Sequence, residues 1–125
     1  MITNPYQKYQ QASVQTAPAS QLLLMLYDGA IRFVRVGIEG INQRNYEKAN
    51  NNLIKAQAII NELVAGLNHD YPIAKDLLVL YEYLLHQLIQ ANVKKNAEIA
   101  QEVLDHLTEL REAWGEAAKQ VAGER

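Results

Sequence analysis

The stretch Tyr46–Leu67, YEKANNNLIKAQAIINELVAGL, decides how this chain folds. Its apolar residues stand at Tyr46, Ala49, Leu53, Ala56, Ile60, Leu63 and Leu67, in alternating steps of three and four. A backbone turning every 3.6 residues collects these positions on one face, whereas a strand would scatter them over both sides of a sheet. Asn45 stands before the run as an N-cap, and Gly66-Leu67-Asn68-His69-Asp70 supplies a stop followed by a new cap.

The same period extends in both directions from this helix. Upstream, Thr16 caps a first helix over Pro18–Gln43, with Pro18 in an opening turn that has no use for its missing N–H. Downstream, Pro72 sits in the first turn of a third helix with Leu77, Leu80, Leu84, Leu88 and Ala91 as its seam. Lys94 and Lys95 favour the C-terminal end of that helix. Asn96 then caps a fourth, whose seam is Ala100, Val103, Leu107, Leu110, Trp114, Ala117 and Val121. Helices of about 20 to 27 residues joined by connections of a few residues run antiparallel to their neighbours. The expectation is an all-α, up-down-up-down four-helix bundle, forming one domain over 1–125. Residues 1–17 make an irregular N-terminal arm, 18–122 the bundle and 123–125 a frayed tail.

Composition narrows the function classes. Without cysteine, neither disulfides nor thiolate metal sites are available. No stretch approaches the ~20 apolar residues of a membrane span, and the N-terminus lacks a signal peptide's basic and apolar regions, so a soluble, cytoplasmic protein is expected. A net charge of −2, with no basic cluster larger than Lys94-Lys95, argues against nucleic acid as a partner.

Chemistry is sparse. A di-iron carboxylate site in a bundle needs inward-facing Glu and Glu-x-x-His pairs. The nearest pairs, Glu82/His86 and Glu102/His106, have i,i+4 spacing and fall away from the leucine seams, so no metal site is expected. His69 belongs to loop capping chemistry, and no nucleophile elbow, phosphate loop or dinucleotide fingerprint occurs. Neither a catalytic residue nor a cofactor is assigned. Seven tyrosines against one Phe and one Trp favour rings that can be half buried with a wet hydroxyl. Tyr81 and Trp114 read as core, and Tyr83 as surface or groove.

Helix 1 carries more apolar surface than a core requires. From Met25 and Val36 round to Ile38 and Leu24 its apolar arc covers roughly 260°, against the stripe of about 100° or somewhat more that a helix on one side of a bundle needs. Either the arm or a central position covers the excess, or a partner does. Gly29, Gly37 and Gly40 in the same helix allow close backbone approach or are simply tolerated.

Specific runs now carry a resemblance. Asn4-Pro5-Tyr6-Gln7-Lys8-Tyr9-Gln10-Gln11 and Val14-Gln15-Thr16-Ala17 resemble the start of the FliS-type flagellin export chaperones. Leu24-Met25-Leu26-Tyr27-Asp28-Gly29-Ala30 looks like that family's first helix, and Leu53-x-x-Ala56 like its second. Leu80-Tyr81-Glu82-Tyr83-Leu84 with Leu88 and Ala91-Asn92 is similar to its third, and Glu109-Leu110-Arg111-Glu112-Ala113-Trp114 to its fourth. The order and spacing of these runs hold over nearly the whole chain. Departures are Gly37 where Ala is usual, His86 where Arg is common, and a short C-terminal tail.

The resemblance implies a cytoplasmic export chaperone. Its partner would be the C-terminal helical segment of flagellin, held one to one against premature polymerisation, and the complex would then meet the flagellar type III export gate. The candidate groove residues are Leu22, Met25, Phe33, Val36, Ile54, Val79 and Tyr83. Ile2, Tyr6 and Tyr9 are the candidate N-terminal cap over that groove. The free chain has room for a homodimer, and the rival function is a homo-oligomeric helical structural or adaptor protein.

Overall fold

A computed structural model describes residues 19–123, with side chains placed for 19–120. It contains four helices, α1 (Ala19–Asn42), α2 (Tyr46–Ala65), α3 (Ile73–Lys94) and α4 (Ala97–Gly123). They pack in sequence order around a ring, α1 against both α2 and α4, and α3 against both α2 and α4. Asn92 near the end of α3 bonds Asn50 near the start of α2 (2.9 Å), and Trp114 in the second half of α4 lines one groove with Leu22 and Leu23 at the start of α1, so neighbours run antiparallel. The all-α bundle expected from the periodicity is therefore the observed fold. The expected arm, the Thr16 cap and the cap residues Ile2, Tyr6 and Tyr9 lie outside the described residues.

The connections are short because the helix ends are chemically specified. Asn45 Oδ1 accepts from the Lys48 N–H (3.2 Å), and Asn96 Oδ1 accepts from those of Glu98 and Ile99 (2.9 and 3.1 Å), satisfying donors that have no helical partner. α1 and α3 close alike. Arg44 (φ 57°) and Lys95 (φ 50°) adopt the left-handed conformation. The Asn45 N–H bonds Gly40 O, and the Asn96 N–H bonds Ala91 O, each closing a Schellman turn. One cap differs from expectation. α3 starts at Ile73 with Pro72 as its N-cap residue, and Asp70 spends its N–H on Asn68 Oδ1 instead of capping the helix. Backbone bonds from Ala74 to Tyr71 O and from Lys75 to Pro72 O tighten that first turn.

The core is built from the expected seams. Leu53, Ala56 and Ile60 of α2, Leu84 and Leu88 of α3, and Val103 and Leu107 of α4 are fully buried. α1 contributes Tyr27, Ala30, Ile31, Val34 and Ile41, so its wide arc serves two neighbouring helices at once. Along α4 the seam fades. Leu107 is buried, Leu110 and Trp114 are half-buried and Ala117 is exposed. Trp114 thus belongs to the edge of the core, not to its interior as its position in the seam suggests.

α1 and α2 meet most closely at Gly40. A Cβ there would lie 2.7 Å from Ala49 N, 3.0 Å from Ala49 Cα and 3.1 Å from Asn45 O, all backbone atoms that cannot swing away. Helix propensity favours Ala over Gly by about 1 kcal/mol, but a backbone clash of this kind costs about 1–3 kcal/mol and must shift the α1–α2 turn. Gly40→Ala should therefore lower unfolding free energy by up to about 2 kcal/mol in a denaturant titration. A gain in stability would show that the close approach is not a constraint.

Candidate functional site

At the end of the bundle where α1 and α3 begin and α2 finishes, the helices diverge around an open groove of about 500 Å³. Leu22, Leu23 and Leu26 form one wall, from the first two turns of α1. Leu63, Gly66 and Leu67 close the side of α2, and Tyr71, Ile73 and Leu77 line the connection and the start of α3. Trp114 of α4 and Tyr81 of α3 complete the lining. Apart from Glu62 and Asn68, both exposed, the lining side chains are apolar or aromatic. Tyr71 and Ile73 stand 64% and 53% exposed, an unusual state for two large apolar residues flanking a proline.

Beneath this groove lies a polar contact inside the core. The hydroxyls of Tyr27 and Tyr81 hydrogen-bond to each other across the bundle, joining α1 to α3. Burial raises the pKa of both phenols, because a phenolate cannot be solvated there. For Tyr27 the bond to Tyr81 adds to the rise, while the Trp114 indole N–H, beside the Tyr27 hydroxyl, opposes it and is outweighed. On the outside of the bundle the Arg111 guanidinium donates to both carboxylate oxygens of Asp28 (2.8 and 3.4 Å). This pair is half exposed, so its contribution is small and its role is geometric, tying the middle of α4 to the middle of α1.

The residues nominated from sequence are divided by the structure. Leu22 lines the groove. Met25, Phe33, Val36, Ile54, Val79 and Tyr83 do not. Met25 and Ile54 are exposed on α1 and α2, and Val36 is half-buried. Phe33 lies under the cations of Arg32 (4.8 Å) and Lys55 (5.6 Å). Val79 is 65% exposed on the outer face of α3. Tyr83 donates to Glu102 Oε2 (2.7 Å) and meets the His106 ring edge-on. Gln87 donates to the other oxygen of Glu102, and these two bonds, that of Gln87 first, hold the carboxyl below its usual range.

Sequence reading missed Leu67, Tyr71, Ile73 and Trp114 as groove residues. The available signal was Tyr71-Pro72-Ile73, large apolar side chains in a turn, where polar residues are usual. For metal chemistry, Glu102 is already engaged by Tyr83 and Gln87, and Glu82 and His86 are exposed. Among the described residues no three His, Cys, Asp or Glu gather as a ligand set, and no helix is long and apolar enough to cross a membrane.

The tyrosine pair makes stability sensitive to alkali. Both phenols have folded-state pKa values above the ordinary 10.0, so the native state keeps protons that the unfolded chain releases. Their contribution is complete below pH 10 and is lost as pH rises beyond it. Unfolding free energy should fall above pH 10, with part of the tyrosinate absorbance appearing only as the bundle unfolds. Tyr27→Phe should reduce that slope while costing about 1–3 kcal/mol at neutral pH, because Tyr81 loses its partner. An unchanged alkaline slope would mean that the pair ionises freely in the folded bundle.

Comparison with known proteins agrees with this architecture. The family model described as flagellar protein FliS matches residues 2–121. The flagellar secretion chaperone FliS of Bacillus subtilis (strain 168) is 41% identical over 116 residues, covering 93% of this chain and 87% of the relative. That of Salmonella typhimurium is 36% identical over 113 residues, covering 85% and 84%. A crystal structure of a bacterial flagellar chaperone superposes with a TM-score of 0.77 at 21% identity, over 92% of this chain and 95% of that one, a likeness of fold.

Proposed function

Because this chain belongs to the FliS family of flagellar proteins, secretion chaperones and not enzymes, we propose that it is the cytoplasmic export chaperone of a flagellin, holding that protein's C-terminal helical segment. The observation that carries the reading is the open apolar groove at the bundle's end, with Trp114 and Leu22 on its walls. A monomer gains nothing from leaving such a surface uncovered, and an amphipathic helix laid into a groove covers it with spaced apolar anchors.

In this reading the chaperone replaces the neighbouring flagellin subunit. A segment that finds a core only in the filament is an aggregation hazard when free. Coupled folding and binding, burying about 1,000–3,000 Å² in all, masks it and still permits release, because ordering the segment offsets much of the gain. That area exceeds what one groove offers, so the client continues over further surface. Met25, Phe33, Val36 and Ile54 on α1 and α2, and Val79 and Tyr83 on α3, are proposed for that continuation. The one-to-one complex is then the form presented to the type III export gate. Binding should depend weakly on salt, since the lining holds one charged residue, Glu62.

Ile2, Tyr6 and Tyr9 are proposed as a cap. Ala19, where α1 begins, borders the groove, so the chain that precedes it joins the bundle at the site the cap would cover. A flagellin segment displaces the arm because it buries more surface. A second reading, a homo-oligomer, draws support from the exposed apolar residues Val79 and Val93 on α3.

Co-purification with flagellin, read as mass by light scattering, tests the main reading. Intact flagellin should form a one-to-one complex, and flagellin lacking its C-terminal helical segment should form none. An oligomer of the chain alone that ignores both would favour self-assembly. For the cap, removal of residues 1–15 should increase dimerisation of the free chain and alter flagellin binding; no change in either would end the cap assignment.

A further inference from the structure

The Tyr27–Tyr81 pair leaves one proton over. Two phenols carry two O–H protons, and the bond between them uses one. Tyr27 also receives the Trp114 indole N–H, but among the described residues neither hydroxyl donates to any group outside the pair. The polar group next to the pair, the Trp114 indole N–H, is a donor and cannot accept the second proton. No polar or charged side chain among the described residues is buried with the pair. A buried O–H without an acceptor is a destabilising feature that folded proteins generally avoid.

Position shows where that proton is useful. Of the two phenols, Tyr81 borders the groove and Tyr27 does not. Tyr81 is 1% exposed, so only a small atom entering the groove floor can reach it. Resting on the groove-binding reading above, we propose that the Tyr81 hydroxyl is a specificity-determining donor, and that the segment taken into the groove carries one neutral acceptor oxygen, from Asn, Gln, Ser or Thr, within its apolar face. A neutral acceptor is favoured over a carboxylate for two reasons. The floor is apolar, where a buried charge is heavily penalised, and Glu62 at the rim adds like-charge repulsion. A fully apolar helix would fill the same volume but leave the donor buried and unmatched. Rejection by an unmatched polar group discriminates more sharply than a difference in apolar area.

The test is a double-mutant cycle by calorimetry between the full chain and the C-terminal segment of flagellin. Tyr81→Phe should weaken binding by roughly three- to tenfold, the range of one net hydrogen bond. Val103→Ala, a core change away from the groove, controls for lost stability and should leave affinity unaltered. Each Asn, Gln, Ser and Thr of the segment is then replaced by Ala. One replacement should weaken binding to the wild-type chain and have no further effect on Tyr81→Phe. Equal affinity of Tyr81→Phe and wild type, or the absence of any coupled position, overturns the proposal. If Tyr81→Phe does not fold, the alanine panel on the wild-type chain decides alone: loss at one neutral polar position supports the donor, and a flat panel overturns it. Failure of the wild-type chain to bind any form of the segment would instead remove the groove-binding reading on which this one rests.

Discussion

A hydrogen bond between two tyrosines sets the level at which this bundle stops being filled. Below Tyr27 and Tyr81, leucines, isoleucines, valines and alanines from all four helices close the interior; above it the helices splay around a groove. The constraint is one of satisfaction as much as volume. Burying one phenol alone would orphan its hydroxyl, whereas two facing phenols from α1 and α3 satisfy most of each other's demand. Their bond also spans the diagonal of the ring, between helices that otherwise touch little. Arg111 and Asp28 near the middle of α1, and Gly40 against Ala49 at its far end, then fix how α4 and α2 lie on α1.

That arrangement gives a chaperone its two required properties. The lower part is packed like any stable domain, so the scaffold need not reorganise for each client. The upper part presents apolar surface that is already shaped and that ordinary folding would have covered. In the proposed complex a helical segment docking there would meet aromatic and branched side chains with few charges, favouring grip by shape and burial over electrostatic steering.

Much of the fold was legible in the chain because it depends on local periodicity and on caps. The alternation through Leu53, Ala56 and Ile60 marks a helix without reference to any neighbour, and Asn45 and Asn96 announce helix starts through chemistry confined to four residues. Asp70 offered the same signal but lost the position to Pro72, since backbone bonds within the Tyr71–Lys75 turn already satisfied the first donors. The groove was less legible. Periodicity reports which face of a helix is apolar, and it is silent about where the neighbouring helices end. Trp114 lies in the seam of α4 with the same phase as Leu107, yet one is half-buried and the other fully buried. The wide arc of α1 signalled surplus surface correctly, but two helices share much of it, and the part left open is the first two turns.

Hydrogen–deuterium exchange of the chain, alone and with the C-terminal segment of flagellin, would locate the client on the bundle. Exchange should slow in the first two turns of α1, the end of α2, the start of α3 and the α4 turn bearing Trp114. Protection confined to the outer face of α3 around Val79 and Val93, with the groove unchanged, would rule the groove out as the client's seat.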